Sequence, residues 1–331
     1  MTTLPHDPAI GPAEAVAAAA EIPAEPAKAR RTLPGWTRWL VVAVPFLWLG
    51  FFFLLPFLIV LKISFSDSVV AMPPYVPVLD LSAGWEGIRQ FWSELDFENY
   101  LLLTEDSLYW ESYLSSLRIA GTSTLLIALV GYPIAYGMAR APAGVRPILL
   151  MLVILPFWTS FLIRVYAWIG ILKPEGLLSA LLMDLGVIGE PLRIMNTEIA
   201  VYIGIVYSYL PFFVLPVYAS LEKMDDTLLE AAADLGSPPI RAFWQITFPL
   251  SLPGVIAGAL LVFIPAVGEF VIPDLLGGSE TLMIGKTLWS EFFSNRDWPV
   301  ASAVAIVLLF LLVVPMVLYQ NMQARSAEGG R

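Results

Sequence analysis

Two ionisable side chains, Arg164 and Glu269, stand inside long apolar runs of a 331-residue chain. A charge at the centre of a bilayer costs roughly 2.5–3.5 kcal/mol on insertion scales, so each must face protein or water and find a partner. Charge recognition is the chemistry open to them. Glu269 suits contact with a cationic solute in a cavity, and the two can instead pair as a structural ion pair, both near the external ends of their runs. Aromatic residues crowd the same runs: Trp158, Tyr166 and Trp168 around Arg164, and Tyr207 and Tyr209 in the run that follows. Their faces attract ammonium groups by about 0.5–2 kcal/mol each, and such rings also serve in packing or at the membrane interface. Bond-making chemistry has little to work with. Cysteine is absent and the one histidine, His6, lies in a Pro- and Ala-rich stretch. Disulfides, thiolate sites, His-based triads and His metal sites are thereby excluded. Gly285-Lys286-Thr287 echoes a phosphate-binding loop, but that motif needs a glycine where Glu280 stands.

The elements that must position these groups are membrane helices. Of the residues, 58% are hydrophobic, against about 45–50% in soluble domains. A helical crossing needs about 20 mostly apolar residues, and six segments qualify: roughly 39–61, 113–139, 147–171, 197–220, 250–272 and 299–321. Lipid leaves no partner for open backbone groups, so these are helices, with kinks expected at Pro45, Pro56, Pro133, Pro156, Pro211 and Pro265. Residues 1–37 read as a disordered tail, 38–112 as the first helix and an acidic external loop, 113–321 as a five-helix core with a loop at 221–249, and 322–331 as a second tail. Gly254-Val255-Ile256-Ala257-Gly258 is a small-residue pattern of the kind that lets helices approach.

Charge sets the expected orientation. With both termini cytosolic, ten Lys and Arg residues fall inside and seven outside, over a longer total external length. The short connection from Arg140 to Arg146 carries two arginines and no acid, in keeping with the positive-inside rule. The external loop at about 63–112 holds nine acids against Arg89 alone, with Trp85, Trp92, Tyr100, Tyr109 and Trp110. It reads as an interfacial belt with a solvated acidic face, or as a docking surface for an extracytoplasmic partner. A net charge of −10 argues against nucleic acid.

The connection at 221–249 has more signals than a simple turn needs. Thr227-Leu228-Leu229-Glu230 fits a capping box, with Thr227 at the helix start and Glu230 reaching back. Leu228, Leu229, Ala232 and Leu235 then share a face. Gly236 stands where a helix ends in a left-handed residue, and Ser237-Pro238 opens the next helix with proline first. Ala231 to Ala233 are small enough for another surface to come close.

Glu230-Ala231-Ala232-Ala233-Asp234-Leu235-Gly236, followed by Ile246-Thr247-Phe248-Pro249, resembles the cytoplasmic loop by which membrane subunits of binding-protein-dependent ABC importers grip their ATPase, with Phe248 in a leucine position. Pro156-Phe157-Trp158-Thr159-Ser160, Tyr207-Ser208-Tyr209-Leu210-Pro211, Gly268-Glu269-Phe270-Val271-Ile272-Pro273 and Asn295-Arg296-Asp297-Trp298-Pro299 resemble polyamine importer permeases, closest to those for putrescine. The resemblance runs from about 36 to 320. It implies an all-α integral membrane protein of the type I ABC importer permease fold, with six transmembrane helices and a cytoplasmic coupling helix. It implies Glu230, Ala231, Ala232, Asp234, Leu235, Gly236 and Pro249 as ATPase-coupling residues. Candidate pathway residues are Glu269, Arg164, Trp168, Tyr166, Tyr207 and Tyr209. Implied partners are a second homologous permease, two ATPase subunits that carry ATP and Mg, and an extracytoplasmic polyamine-binding protein. The chain itself would bind no cofactor or metal and catalyse no reaction, in a bacterial inner membrane. A stand-alone ion-coupled carrier for organic cations, or an ABC permease for another small substrate, are the rival readings. The carrier would leave the loop around Glu230 without a task. A membrane enzyme would lack His, Cys and clustered intramembrane acids.

Overall fold

A computed structural model describes residues 35–78, 84–279 and 281–329. Helices dominate, as backbone bonding in lipid requires. In chain order they are α1 (Gly35–Leu49), α2 (Leu55–Ile63), α3 (Gly84–Ser93), α4 (Glu98–Glu105), α5 (Ser107–Arg140), α6 (Arg146–Ile154), α7 (Phe161–Leu172) and α8 (Leu177–Asp184). Then follow α9 (Glu198–Glu222), α10 (Thr227–Asp234), α11 (Pro239–Ala242), α12 (Phe248–Val267), α13 (Val271–Leu275), α14 (Ile284–Trp289) and α15 (Trp298–Gly329). A π-helical turn, Gly50–Leu54, joins α1 to α2, and another, Phe243–Thr247, joins α11 to α12. One short antiparallel ribbon pairs β1 (Asp67–Ser68) with β2 (Tyr75–Val76).

Among the described residues, six helical segments are long and apolar enough to cross a membrane: Val42–Ile63, Ser107–Arg140, Phe161–Asp184, Glu198–Glu222, Pro239–Val267 and Trp298–Val317. The chain divides into residues 1–57 and 58–331. In the first unit the described residues form α1, the π turn and the start of α2, with the Trp48 and Phe52 rings 4.2 Å apart.

In the second unit α5, α9 and α12 pack together as the core. α9 buries residues on two sides, among them Val201, Ile205, Phe213, Val214 and Val217, all fully inaccessible. The small-residue pattern on α12 has a definite use here. A Cβ on Gly254 would lie 2.6 Å from the carbonyl oxygen of Pro216, and one on Gly258 3.0 Å from that of Phe213. Only glycine lets α12 come this close to α9, and close backbone approach is how helices associate without a hydrophobic drive from water.

The third crossing departs from the expected single helix over 147–171. α6 tightens into a 3₁₀ turn at Leu155–Trp158, breaks at Thr159-Ser160, and resumes as α7. Pro156 withholds the N–H that would continue the helix. By length alone Phe161–Asp184 qualifies as a crossing, yet residues 173–176 interrupt it between α7 and α8. Arg146 lies 3.9 Å from Glu222 at one end of α9, and Leu172 shares a core cluster with Ala200 near the other. The traverse is therefore 146–172, and α8 lies beyond it at the Glu198 end.

Other boundaries also shift. The described residues of the segment 63–112 include two helices and a short ribbon, with Asn99 donating to the carbonyls of Ser64 (3.1 Å) and Ser66 (2.8 Å). α15 continues to Gly329, so the expected tail at 322–331 is helical as far as it is described. Of the expected N-terminal tail, residues 1–34 lie outside the described residues and 35–37 begin α1.

Candidate functional site

The first constellation is α10 at the Glu222 end of the bundle. The side chain of Asp225 accepts the N–H of Thr227 at 3.0 Å, and this bond holds the Asp225 carboxyl below the usual carboxylate range. The expected capping box is therefore absent. Asp226 occupies the cap position, Thr227 is the first helical residue, and Glu230 does not reach back, because Asp225 already takes the Thr227 N–H. The far end follows the expectation. Gly236 has φ +76°, its N–H bonds Ala233 O at 2.8 Å, and the Ser237 N–H bonds Ala232 O at 2.9 Å. These are the paired bonds of a glycine-capped helix end. Pro239, not Pro238, is the first residue of α11. A residue that precedes proline is driven out of the α region, and Pro238 is accordingly extended, with ψ 151°.

The faces of α10 differ from the periodic reading. Ala232 is buried and Leu229 half-buried, but Leu228 and Leu235 point outward. Leu235 is the residue after the last helical turn, so it follows the reversal rather than the helical stripe. It is 89% exposed, with Ile240 at 76% and Trp244 at 60% beside it in sequence. Glu230, Ala231, Asp234 and Gly236 are exposed too, as is Pro249 in the first turn of α12. The base of this loop is fixed. Arg140, which ends α5, pairs with Asp226, and its guanidinium lies over the Tyr136 ring at 5.5 Å. Phe243 packs edge-on against Tyr132 and Tyr136, at 5.7 and 6.0 Å. The result is a short knob anchored at its base, with an apolar tip.

The second constellation lies halfway along the bundle. α12 ends at Val267, and Gly268-Glu269-Phe270 precedes α13. Glu269 closes the break. Its Oε1 accepts the N–H groups of Phe270 (3.1 Å), Val271 (2.9 Å) and Ile272 (3.4 Å). Its Oε2 accepts the hydroxyl of Tyr209 at 2.5 Å. Arg164 does the converse at the break in the third crossing, where its Nη1 donates to the carbonyl oxygens of Pro156 and Thr159. A carboxylate thus sits at a helix start and a guanidinium at a helix end, the arrangement that helix dipoles favour.

These contacts revise two expectations. Arg164 and Glu269 form no ion pair, because each is taken up by the helix end nearest to it. Nor does Glu269 lie near an end of the bundle: its partner Tyr209 is midway along α9. Both charged residues are buried, at 9% and 7% exposure, and both line an open cleft of about 470 Å³. The Arg164 guanidinium lies over the rings of Phe157 and Phe161, at 5.3 and 5.8 Å.

Three of the six candidate pathway residues, Arg164, Tyr209 and Glu269, meet in this cleft. Tyr166, Trp168 and Tyr207 do not line it: Tyr166 is 58% exposed, and Trp168 packs edge-on against Tyr207 at 5.4 Å. The cleft adds Phe157, Phe161, Ser208, Phe212 and Phe270, which side-chain charge alone does not single out. The available signal is the pair of helix breaks, Pro156 before Thr159-Ser160 and Pro265 before Gly268. Ser208 is 6% exposed, and among the described residues its Oγ has no partner, nor has Nε of Arg164. A buried polar group left unpaired costs about 1–3 kcal/mol.

Gly285, Lys286 and Thr287 serve packing and surface contacts. Thr287 Oγ1 lies 3.0 Å from Ser112 Oγ, a Cβ on Gly285 would lie 2.4 Å from Gly268 O, and Lys286 is 4.0 Å from Asp274.

Residues 128–327 match the family model described as binding-protein-dependent transport system inner membrane component. The chain is 42% identical over 280 residues to the spermidine/putrescine transport system permease protein PotB of Haemophilus influenzae, covering 85% of this chain and 92% of that protein. It is 46% identical over 222 residues to PotB of Escherichia coli, covering 67% and 80%. Among solved structures, a bacterial ABC transporter involved in import of the acidic polysaccharide alginate is similar in fold, with TM-score 0.65, 14% identity, and coverage of 88% of this chain and 96% of that one.

Proposed function

This chain belongs to the family of binding-protein-dependent transport system inner membrane components, and from that premise we propose that it is the permease subunit of an ATP-driven polyamine importer. It is a multi-pass inner-membrane protein of the type I importer permease fold, and its relatives are transport permeases rather than enzymes. The substrate reading rests on the two relatives named for spermidine/putrescine transport, with putrescine the substrate expected first.

The observation that carries the mechanism is α10, a two-turn helix fixed at its base by Arg140–Asp226 and presenting Leu235 at 89% exposure. Its end of the bundle bears Arg140, Arg146, Lys223 and Arg241, which supports placing it in the cytosol with both termini. An apolar tip there suits a groove on an ATPase subunit. Asp234 adds a reason for a basic partner. An acid in the last turn of a helix opposes the dipole by about 0.3–1 kcal/mol, and a facing Lys or Arg offsets that. Two ATPase subunits hold ATP and Mg; this chain holds neither. Their closure displaces α10; α5 follows because Arg140 pairs with Asp226, and α12 follows through α11 and the π turn that lead into it. The bundle then shifts between inward-open and outward-open populations. A second homologous permease completes the pathway, and an extracytoplasmic binding protein delivers the polyamine.

Reconstitution with those partners tests this. Labelled putrescine and spermidine should enter vesicles only with ATP inside the ATPase compartment. Uptake driven by an ion gradient without nucleotide would contradict the proposal and favour a stand-alone carrier.

A further inference from the structure

We infer that the cleft between the two helix breaks is a subsite for one alkylammonium group, with Glu269 as its counter-charge and Ser208 as an additional oxygen ligand. The inference rests on the reading of this chain as a polyamine permease and names where, within it, the solute is held.

Four features point the same way. First, the cleft is open and measures about 470 Å³, so it admits a ligand group rather than merely a packing defect. Second, among the described residues its buried acid has no cationic side chain paired with it. Arg164, the one basic residue lining the same cleft, is drawn to the carbonyls of Pro156 and Thr159. The Tyr209 hydroxyl and backbone N–H groups fix the carboxylate in place but bring no full positive charge. Third, Ser208 lines the cleft, is nine-tenths buried, and its Oγ is unpartnered. A hydroxyl oxygen accepts from an ammonium N–H, which has three donors and no acceptor. Fourth, Phe157, Phe161, Phe212 and Phe270 supply apolar surface for a methylene chain.

Arg164 sets the limit of the site. Its fixed charge in the same cleft repels a second ammonium, so a diamine enters by one end and leaves the other directed away. The same repulsion keeps the bound state shallow, as a transport path requires: entry must be favourable and exit must remain possible.

The test uses the assembled transporter, with its ATPase and binding protein, reconstituted in vesicles. Labelled putrescine is the probe, and uptake is expressed per ATP hydrolysed in the presence of loaded binding protein. Glu269→Gln should lower that ratio about tenfold or more, the scale of a charge-assisted hydrogen bond. Ser208→Ala should lower it about threefold to tenfold by losing one neutral acceptor, with assembly intact because no bond within the protein is removed. Should Glu269→Gln fail to assemble, since the carboxylate also caps α13, the Ser208→Ala ratio decides. An unchanged ratio in Ser208→Ala and Glu269→Gln overturns the subsite while leaving polyamine import standing. No putrescine or spermidine uptake by the unaltered complex overturns both.

Discussion

Arg140, the last residue of α5, is paired with Asp226, the residue that precedes α10. This contact links a 34-residue core helix to the exposed knob, and Arg140 is further held over Tyr136. Exposed pairs contribute only about 0–1 kcal/mol to stability. Under the proposed coupling role its value is mechanical, as a tether between the knob and α5. Arg140→Glu should leave insertion and thermal stability nearly unchanged and uncouple ATP hydrolysis from uptake. Arg140→Glu combined with Asp226→Arg should recover part of that coupling, measured as uptake per ATP. Failure of the double variant to exceed either single one would show that the pair is dispensable.

Gly236 ends α10 at φ +76° with open space around it. The penalty for a side chain there is conformational rather than steric: about 1–2 kcal/mol for a left-handed residue, more for a β-branched one. Gly236→Val should reduce co-purification of the ATPase subunits while membrane insertion stays intact, and Gly236→Asn should do so less. Equal recovery of ATPase with all three proteins would remove the glycine turn from the docking account.

Gly258 makes the opposite case. A Cβ there meets the backbone of Phe213 at 3.0 Å, which cannot yield as a flexible side chain can. Gly258→Leu should force α12 off α9 and destabilise the protein by at least the 1–3 kcal/mol typical of overpacking. Gly137, in α5, has nothing within 4 Å. Gly137→Ala should be neutral or stabilising by about 0.5–1 kcal/mol. Thermal unfolding in detergent distinguishes the two.

Helix number, the glycine cap at Gly236 and the Gly254–Gly258 packing pattern follow from local rules and were legible. The start of α10 was not, because Asp225 competes with Thr227 for the same N–H and short-range patterns do not rank the two. The break in the third crossing is not legible, because hydropathy averages over Pro156 and Thr159. Of the eleven residues that line the cleft, Arg164 and Glu269 are legible through their charges and Tyr209 through its ring. Ser208 was hidden among apolar neighbours, and Tyr166, Trp168 and Tyr207 were drawn in by ring chemistry although their side chains face elsewhere.

Asp225 offers a pH signature at the knob. Its bond to the Thr227 N–H lowers the carboxyl pKa. A group depressed in the folded state stabilises above its unfolded pKa, and that contribution is lost as pH falls through the folded value. Amide exchange at the start of α10 should therefore speed up only below the ordinary carboxylate range. Asp225→Ala should show the faster exchange at neutral pH already.

The most direct test places a single cysteine at the tip of the knob. The chain has none of its own, so Leu235→Cys introduces a unique thiol at a position 89% exposed. The account predicts that this thiol cross-links to the ATPase subunit, and that a membrane-impermeant maleimide reaches it in inside-out vesicles but not in intact cells stripped of their outer membrane. Labelling from the outside, with no cross-link to the ATPase, would contradict it.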